Sequence, residues 1–103
     1  MKRDIILSYL CSVKEKYQEE GLIIKALFGS YSREEANSNS DIDILIEVTP
    51  KFAKKYGFRA FSRLKEIKEE MSKGLNGIEI DLTDIFGLGK SGKKFIIDRA
   101  IYL

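Results

Sequence analysis

The chain reads as an α/β protein, a small mixed sheet with helices packed on it, for three reasons. Apolar residues recur at three- and four-residue steps in two long stretches, and three short runs are apolar or alternating as strands are. These patterns follow one another in the order helix, strand, helix, strand, helix, strand, helix, with glycines or turn-forming residues between them. At 103 residues there is room for a single domain, 1–103, and no second one in which to house a substrate.

In residues 4–19, Ile6, Leu10, Val13 and Tyr17 mark one helical face, and Gly21 supplies a stop. Cys11 on that helix is expected to be buried or half-buried. Residues 22–28 form a mostly apolar run interrupted by Lys25 and closed by Gly29-Ser30, which predicts a first strand. A short helix is expected over 32–36, then a reversal at Asn37-Ser38-Asn39-Ser40. Residues 41–48 predict a second strand that Pro50 stops from running on. Phe58, Phe61, Leu64, Ile67 and Met71 predict a helix over 58–73, ended by Gly74 and Gly77. Residues 78–83 alternate as a third strand, residues 87–92 form a link, and residues 93–100 predict a closing helix.

Composition excludes several function classes. Apolar residues are 44% and charged residues 33%, the balance of a folded soluble chain. The 18 basic and 16 acidic residues leave a net charge of +2, so direct nucleic-acid binding is not expected. One cysteine cannot form an intrachain disulfide, and without histidine the common zinc patterns cannot be built. No apolar run is long enough to span a membrane, and Met1-Lys2-Arg3-Asp4 leads into an amphipathic pattern, so a cytoplasmic protein is expected.

The informative stretch runs from Gly29-Ser30 to Asp41-Ile42-Asp43. Side chains alternate along a strand, so Asp41 and Asp43 project one way, about 7 Å apart, while Ile42, Ile44 and Ile46 face the core. If the end of the first strand and the start of the second share a site, the two strands must be antiparallel. On the third strand Glu79, Asp81 and Thr83 share a polar face; Asp81, mid-strand, is the candidate, and Glu79 reads as a solvated edge charge. Like charges 4 Å apart cost roughly 4 kcal/mol at an effective dielectric near 20, so such a cluster calls for cations. All-oxygen donors select Mg²⁺, or Mn²⁺ as a substitute. Gly29 lets the backbone approach phosphates, and the amides and hydroxyl around Ser30 can cradle a triphosphate.

Gly29-Ser30, ten residues, then Asp41-Ile42-Asp43 resembles the signature of the DNA polymerase β nucleotidyltransferase superfamily. The particular resemblance is to its minimal nucleotidyltransferases, whose short chains end soon after a third acidic strand, and it extends from the first strand to Asp81. It implies that Asp41 and Asp43 bind two Mg²⁺ ions, that Ser30 contacts the phosphates, and that Asp81 completes a metal site and helps activate the attacking hydroxyl. It further implies transfer of AMP from ATP to a tyrosine hydroxyl of a HEPN-type toxin, with this chain as the antitoxin. Transfer to a small molecule of the aminoglycoside kind, or neutralisation of the partner by binding alone, are the alternatives. Members often carry Arg-Gly after the Gly-Ser, whereas Arg33 is followed here by Glu34. Arg33 either reaches a phosphate as a forked donor or pairs with a nearby glutamate.

Other signals have plainer readings. Gly87-Leu88-Gly89-Lys90-Ser91 ends like a phosphate-binding loop, but Asp84 stands where that motif requires glycine. Lys90, Lys93, Lys94 and Arg99, like Lys51, Lys54 and Lys55, read as solvated charge. Tyr56, Phe58 and Phe61 read as packing and turn residues, not as a base-stacking platform.

Overall fold

The computed structural model describes residues 2–37, 39–85 and 100–103. Helix α1 is Arg3–Glu19, β1 is Leu22–Phe28, β2 is Ile42–Val48, α2 is Pro50–Tyr56, α3 is Ala60–Gly74, β3 is Ile80–Asp84 and β4 is Ile101–Tyr102. A 3₁₀ turn, Gly57–Arg59, joins α2 to α3. The four strands make one mixed sheet in the order β3-β2-β1-β4. β1 runs antiparallel to β2 and to β4, and β2 runs parallel to β3. No described helix is long and apolar enough to cross a membrane.

The helix and strand periodicities meet on one side of this sheet. Ile6, Leu10 and Tyr17 of α1 and Ile67 and Met71 of α3 are buried against Leu22, Ile24, Leu27, Ile42, Ile44, Ile46 and Ile80. A smaller apolar group, Ala26 and Leu45 with Phe28, Ile85 and Ala100, packs separately. The switch between faces comes from a bulge. Ile24 pairs with Ile46 but Ala26 with Leu45, so Lys25 is the extra residue and the alternation of β1 reverses beyond it. Lys25 pairs with Glu47 at 3.1 Å, which accounts for a lysine in an otherwise apolar run.

Several expectations need correction. Pro50 does not merely end β2; it occupies the first turn of α2, where its missing N–H removes no helical bond. Phe52 of that helix is fully buried, whereas Phe58 and Phe61, expected to pack, are exposed. The helix predicted over 58–73 therefore begins two residues later, after the 3₁₀ turn. Residues 30–34 form successive turns and no helix spans 32–36, because Glu34 adopts a left-handed φ of 59° that a helix cannot continue through. Cys11 lies on the solvent side of α1 and is exposed. β4 was not foreseen; Ala100, placed at the end of a closing helix, is non-helical, and residues 93–99 of that prediction lie outside the described residues, as do Lys90 and Ser91.

Helices α1 and α3 are also tied by charge. Arg63 of α3 donates to both oxygens of Glu20 at 2.7 Å and to Glu70 at 2.8 Å, and Tyr17 donates to Glu70 at 2.8 Å. The Arg63 and Glu20 side chains are 15% and 12% exposed, so this is a largely desolvated pair. Arg63 holds the Glu20 carboxyl below its ordinary 4.5 against the opposing effect of burial. Burial raises Glu70, but hydrogen bonds from Arg63 and Tyr17 outweigh it and its pKa is also lowered. Depressed carboxylate values contribute stability that is complete above the ordinary glutamate pKa and is lost as pH falls below it. Arg63→Met should cost about 2–3 kcal/mol at pH 7, since it leaves Glu20 buried without its partner. In urea titrations from pH 7 to 3, the wild type should lose stability below about pH 4.5, and the variant should show a shallower acid limb.

Candidate active site

The convergence of acids follows from strand register. In the parallel β2–β3 pair Ile42 lies opposite Ile80 and Asp43 opposite Asp81, so the two aspartates leave the sheet on the same face from neighbouring strands. Ile42, Ile44 and Ile80 point to the other face and are buried. Asp41 immediately precedes β2 and is exposed, Asp81 is exposed, and Asp43 is half-buried between them. The third member of the cluster is thus at the rim, one residue before the strand predicted to hold it.

The electrostatics report the same proximity. The Asp43 carboxyl is pushed up to about 6, first by burial, then by the charges of Asp81 and Asp41 and by a hydrogen bond with Asp81, with Arg33 acting in the opposite sense. None of the described ion pairs neutralises Asp41, Asp43 or Asp81. Asp81, paired with Asp43 across the strands, acts on it more strongly than Asp41, which lies before β2. Among the described residues no three acidic or thiol side chains close into a ready cage for a metal ion. The arrangement is a pair of carboxyls on neighbouring strands with a third nearby.

Gly29 fixes the other side of the cluster. β1 runs antiparallel to β2, as a shared site requires, and Phe28 pairs with Asp43. Gly29 follows at φ 78°, and a Cβ built on it would strike the carboxylate of Asp43. Both the left-handed backbone and the close approach exclude a side chain here. The chain then folds back on itself: Ser32 donates its backbone N–H and its hydroxyl to the Gly29 carbonyl at 3.2 and 2.8 Å, and the Glu35 N–H bonds the Ser30 carbonyl at 2.9 Å. Arg3 of α1 reaches the Ser32 carbonyl at 3.1 Å. Left over are the backbone amides of Ser30, Tyr31 and Arg33, which donate no hydrogen bond among the described residues. A turn with several unclaimed N–H groups is a receptor for anions.

Of the two roles expected for Arg33, the structure shows the pairing with a glutamate. It pairs with Glu35 at 3.0 Å, and its charge also bears on Asp43. Glu34 was identified as a departure from the glycine usual at that place, and its φ of 59° supplies the reason for that glycine. The backbone keeps the left-handed turn, and Glu34, exposed and 3.5 Å from Arg3, adopts it at some conformational cost. No residue pattern in the sequence announces a positive φ at glutamate, so this feature was not predictable.

The cluster can hold a cation between Asp43 and Asp81 and receive phosphate oxygens over the Gly29–Arg33 turn. Residues 10–103 match the family described as nucleotidyltransferase domain. A protein of Methanocaldococcus jannaschii named "Putative protein adenylyltransferase" is 36% identical over 105 residues, covering 98% of this chain and 93% of its own length. Another of the same name and organism is 37% identical over 81 residues, 78% of this chain and 70% of its own. Among solved structures, one described as "putative minimal nucleotidyltransferase" superposes with a TM-score of 0.75 at 23% identity, covering 100% of this chain and 97% of that one. A toxin-antitoxin structure with AMP-PNP gives a TM-score of 0.60 at 20% identity, over 99% of this chain and 72% of that one. At those identities the two superpositions establish the fold.

The raised Asp43 value makes a test that needs no substrate. A folded-state pKa near 6, against an ordinary 3.8, means that the fold favours the neutral carboxyl. The stability it contributes is complete below 3.8 and is lost as pH rises through 6. Asp43→Asn should therefore stabilise the metal-free protein by about 1–3 kcal/mol at pH 8 and change little at pH 4. Urea denaturation in EDTA at the two pH values checks this.

Proposed function

This chain belongs to the nucleotidyltransferase domain family, and on that premise we propose that it transfers AMP from ATP to the tyrosine hydroxyl of a HEPN-type toxin, as the antitoxin of the pair. The observation that carries the reading is the placement of Asp43 opposite Asp81 on neighbouring strands, with Gly29, next to Ser30, closed against the Asp43 carboxylate. The name "protein adenylyltransferase" borne by relatives of nearly the same length supports AMP and a protein acceptor. The fold shared with a toxin-antitoxin structure holding AMP-PNP supports the pairing with a toxin.

The donors present fit magnesium. Mg²⁺ takes one or two carboxylates and completes its shell with water and phosphate oxygens, which is the donor chemistry Asp43 and Asp81 offer from opposing register positions. Asp41, Asp43 and Asp81 would hold it, two ions being the expected number, and Mn²⁺ would substitute. When bound, the metal would neutralise the triphosphate and the charge developing on the entering and leaving oxygens.

The chain's own groups supply the rest. The free amides of Ser30 and Tyr31 and the Ser30 hydroxyl orient the triphosphate, and Arg33 exchanges Glu35 for a phosphate oxygen. Asp81 accepts the proton of the attacking hydroxyl as its oxygen bonds the α-phosphorus. The bond from that phosphorus to the α–β bridging oxygen breaks, and pyrophosphate leaves with the bonding pair. Rigid placement on two hydrogen-bonded strands is what makes such an in-line displacement efficient.

The test is incubation of the chain and its partner toxin with α-labelled ATP and Mg²⁺, read by mass spectrometry. One AMP on a partner tyrosine is expected, with EDTA abolishing transfer. Asp43→Ala and Asp81→Ala should each reduce kcat/KM by at least about 10²-fold. Neutralisation of the toxin undiminished by both substitutions would establish contact alone as the mechanism.

A further inference from the structure

A cavity of about 680 Å³ opens beyond the N-terminal ends of β2 and β3, between residues 36–41 and 76–79. The two walls are joined by a hydrogen bond from the Ile42 N–H to the Glu79 carbonyl at 2.9 Å. Asp41 is part of its lining, so the cavity communicates with the carboxylate cluster. Its volume lies within the range of small-ligand sites, enough for one side chain and the peptide groups on either side of it.

Charge decides what enters. Among the described residues the lining contains Asp41 and Glu79 and no lysine or arginine, a charge that disfavours a polyphosphate and favours a cation. The order of the sheet separates the substrates in the same sense. β1 lies on one side of β2 and leads into the unclaimed amides of Ser30 and Tyr31 and the Arg33 guanidinium; β3 lies on the other and carries Asp81, with Glu79 before it. A triphosphate seated over the amides of Ser30 and Tyr31 leaves the cavity for the group that attacks it, lined by Tyr31 and Asn37 from the β1–β2 connection and by Asn76 and Glu79 from the chain before β3. Asp41 and Glu79 each stand immediately before their strand, and the Ile42 N–H bonds the Glu79 carbonyl, so both carboxylates belong to the same end of the sheet.

The remaining polar lining suits peptide groups. Asn37 uses its side-chain oxygen to accept from the Asn39 N–H at 2.8 Å, which directs its NH₂ away from that bond. The Asn76 side chain forms no hydrogen bond among the described residues. Carboxamides present a donor and an acceptor together, the pair that a main-chain amide requires. Tyr31, 6% exposed, contributes an aromatic surface to the same lining.

We infer that this cavity is the acceptor subsite, selecting a hydroxyl-bearing peptide segment with a basic side chain close to the hydroxyl, and that Glu79 is the specificity-determining residue that holds the base. The inference rests on the nucleotidyl-transfer reading above. It is tested by binding, so that its failure and the failure of that reading remain distinct.

Fluorescein-labelled tyrosine peptides flanked by arginines or by glutamates are titrated with the chain in Mg²⁺ and AMP-PNP, and anisotropy gives Kd. Nucleotide affinity is measured separately with a fluorescent ATP analogue. Glu79 is exposed, so Glu79→Lys leaves the fold intact, which a urea titration verifies. The arginine peptide should bind the wild type at least tenfold tighter than the glutamate peptide, a preference that raised salt diminishes. Glu79→Lys should abolish or reverse it while nucleotide affinity changes less than twofold, and Asn76→Ala should weaken both peptides alike. The inference is overturned if neither peptide binds, if Glu79→Lys leaves the preference intact, or if that substitution alters nucleotide affinity in its place, which would make the cavity a nucleotide pocket.

Discussion

Two carboxyl groups paired on adjacent strands, with a third close by, are the constraint around which this small protein is arranged. Folding alone would separate them, since like charges at 4 Å repel by roughly 4 kcal/mol at an effective dielectric near 20. The backbone ladder prevents that. Ile42, Ile44 and Ile80 are locked in the core on one face, and their alternation leaves Asp43 and Asp81 no choice but to emerge together on the other. The strain shows in the Asp43 carboxyl, pushed up to about 6 first by burial and then by the charges of Asp81 and Asp41, and cations would relieve it.

In the proposed reaction the surrounding structure would supply what a triphosphate needs and the carboxylates cannot. Gly29 removes a side chain so that the Asp43 carboxyl can pack against the turn, and Ser32 satisfies the Gly29 carbonyl so that the turn holds its shape. Arg3, from the first helix, fastens the same turn from behind. Glu34 holds a left-handed φ of 59° at the place where the resembling family commonly has glycine. The Arg63 network lies between α1 and α3 on the opposite side of the sheet, holding the helices that bury the strands.

Much of this was legible because it depends on period and spacing. Helical steps at Ile6, Leu10 and Tyr17 and alternation through Ile42, Asp43 and Ile44 are set by local geometry, so the core face and the antiparallel β1–β2 pair follow from sequence. The placement of Asp81 beside Asp43 follows from the same alternation once β3 joins the sheet next to β2. What could not be read depends on context. Pro50 serves equally as a strand terminator and a helix starter, and only the chain beyond it shows which. Phe58 and Phe61 satisfy a helical pattern yet face outward, because Phe52 on the unforeseen α2 already occupies the core. The bulge at Lys25 was visible only as an interruption. Glu79 was set aside as an edge charge because strand position was weighed without the cavity that lies beside it.

The most direct trial of the account is crystallographic: the chain crystallised with Mn²⁺ and a non-hydrolysable ATP analogue, with data collected at the manganese absorption edge. An anomalous peak shared by Asp43 and Asp81, with the triphosphate running from it toward the amides of Ser30 and Tyr31, is the result the account requires. Manganese bound away from both aspartates, or a triphosphate seated among Asn37, Asn76 and Glu79, would contradict it.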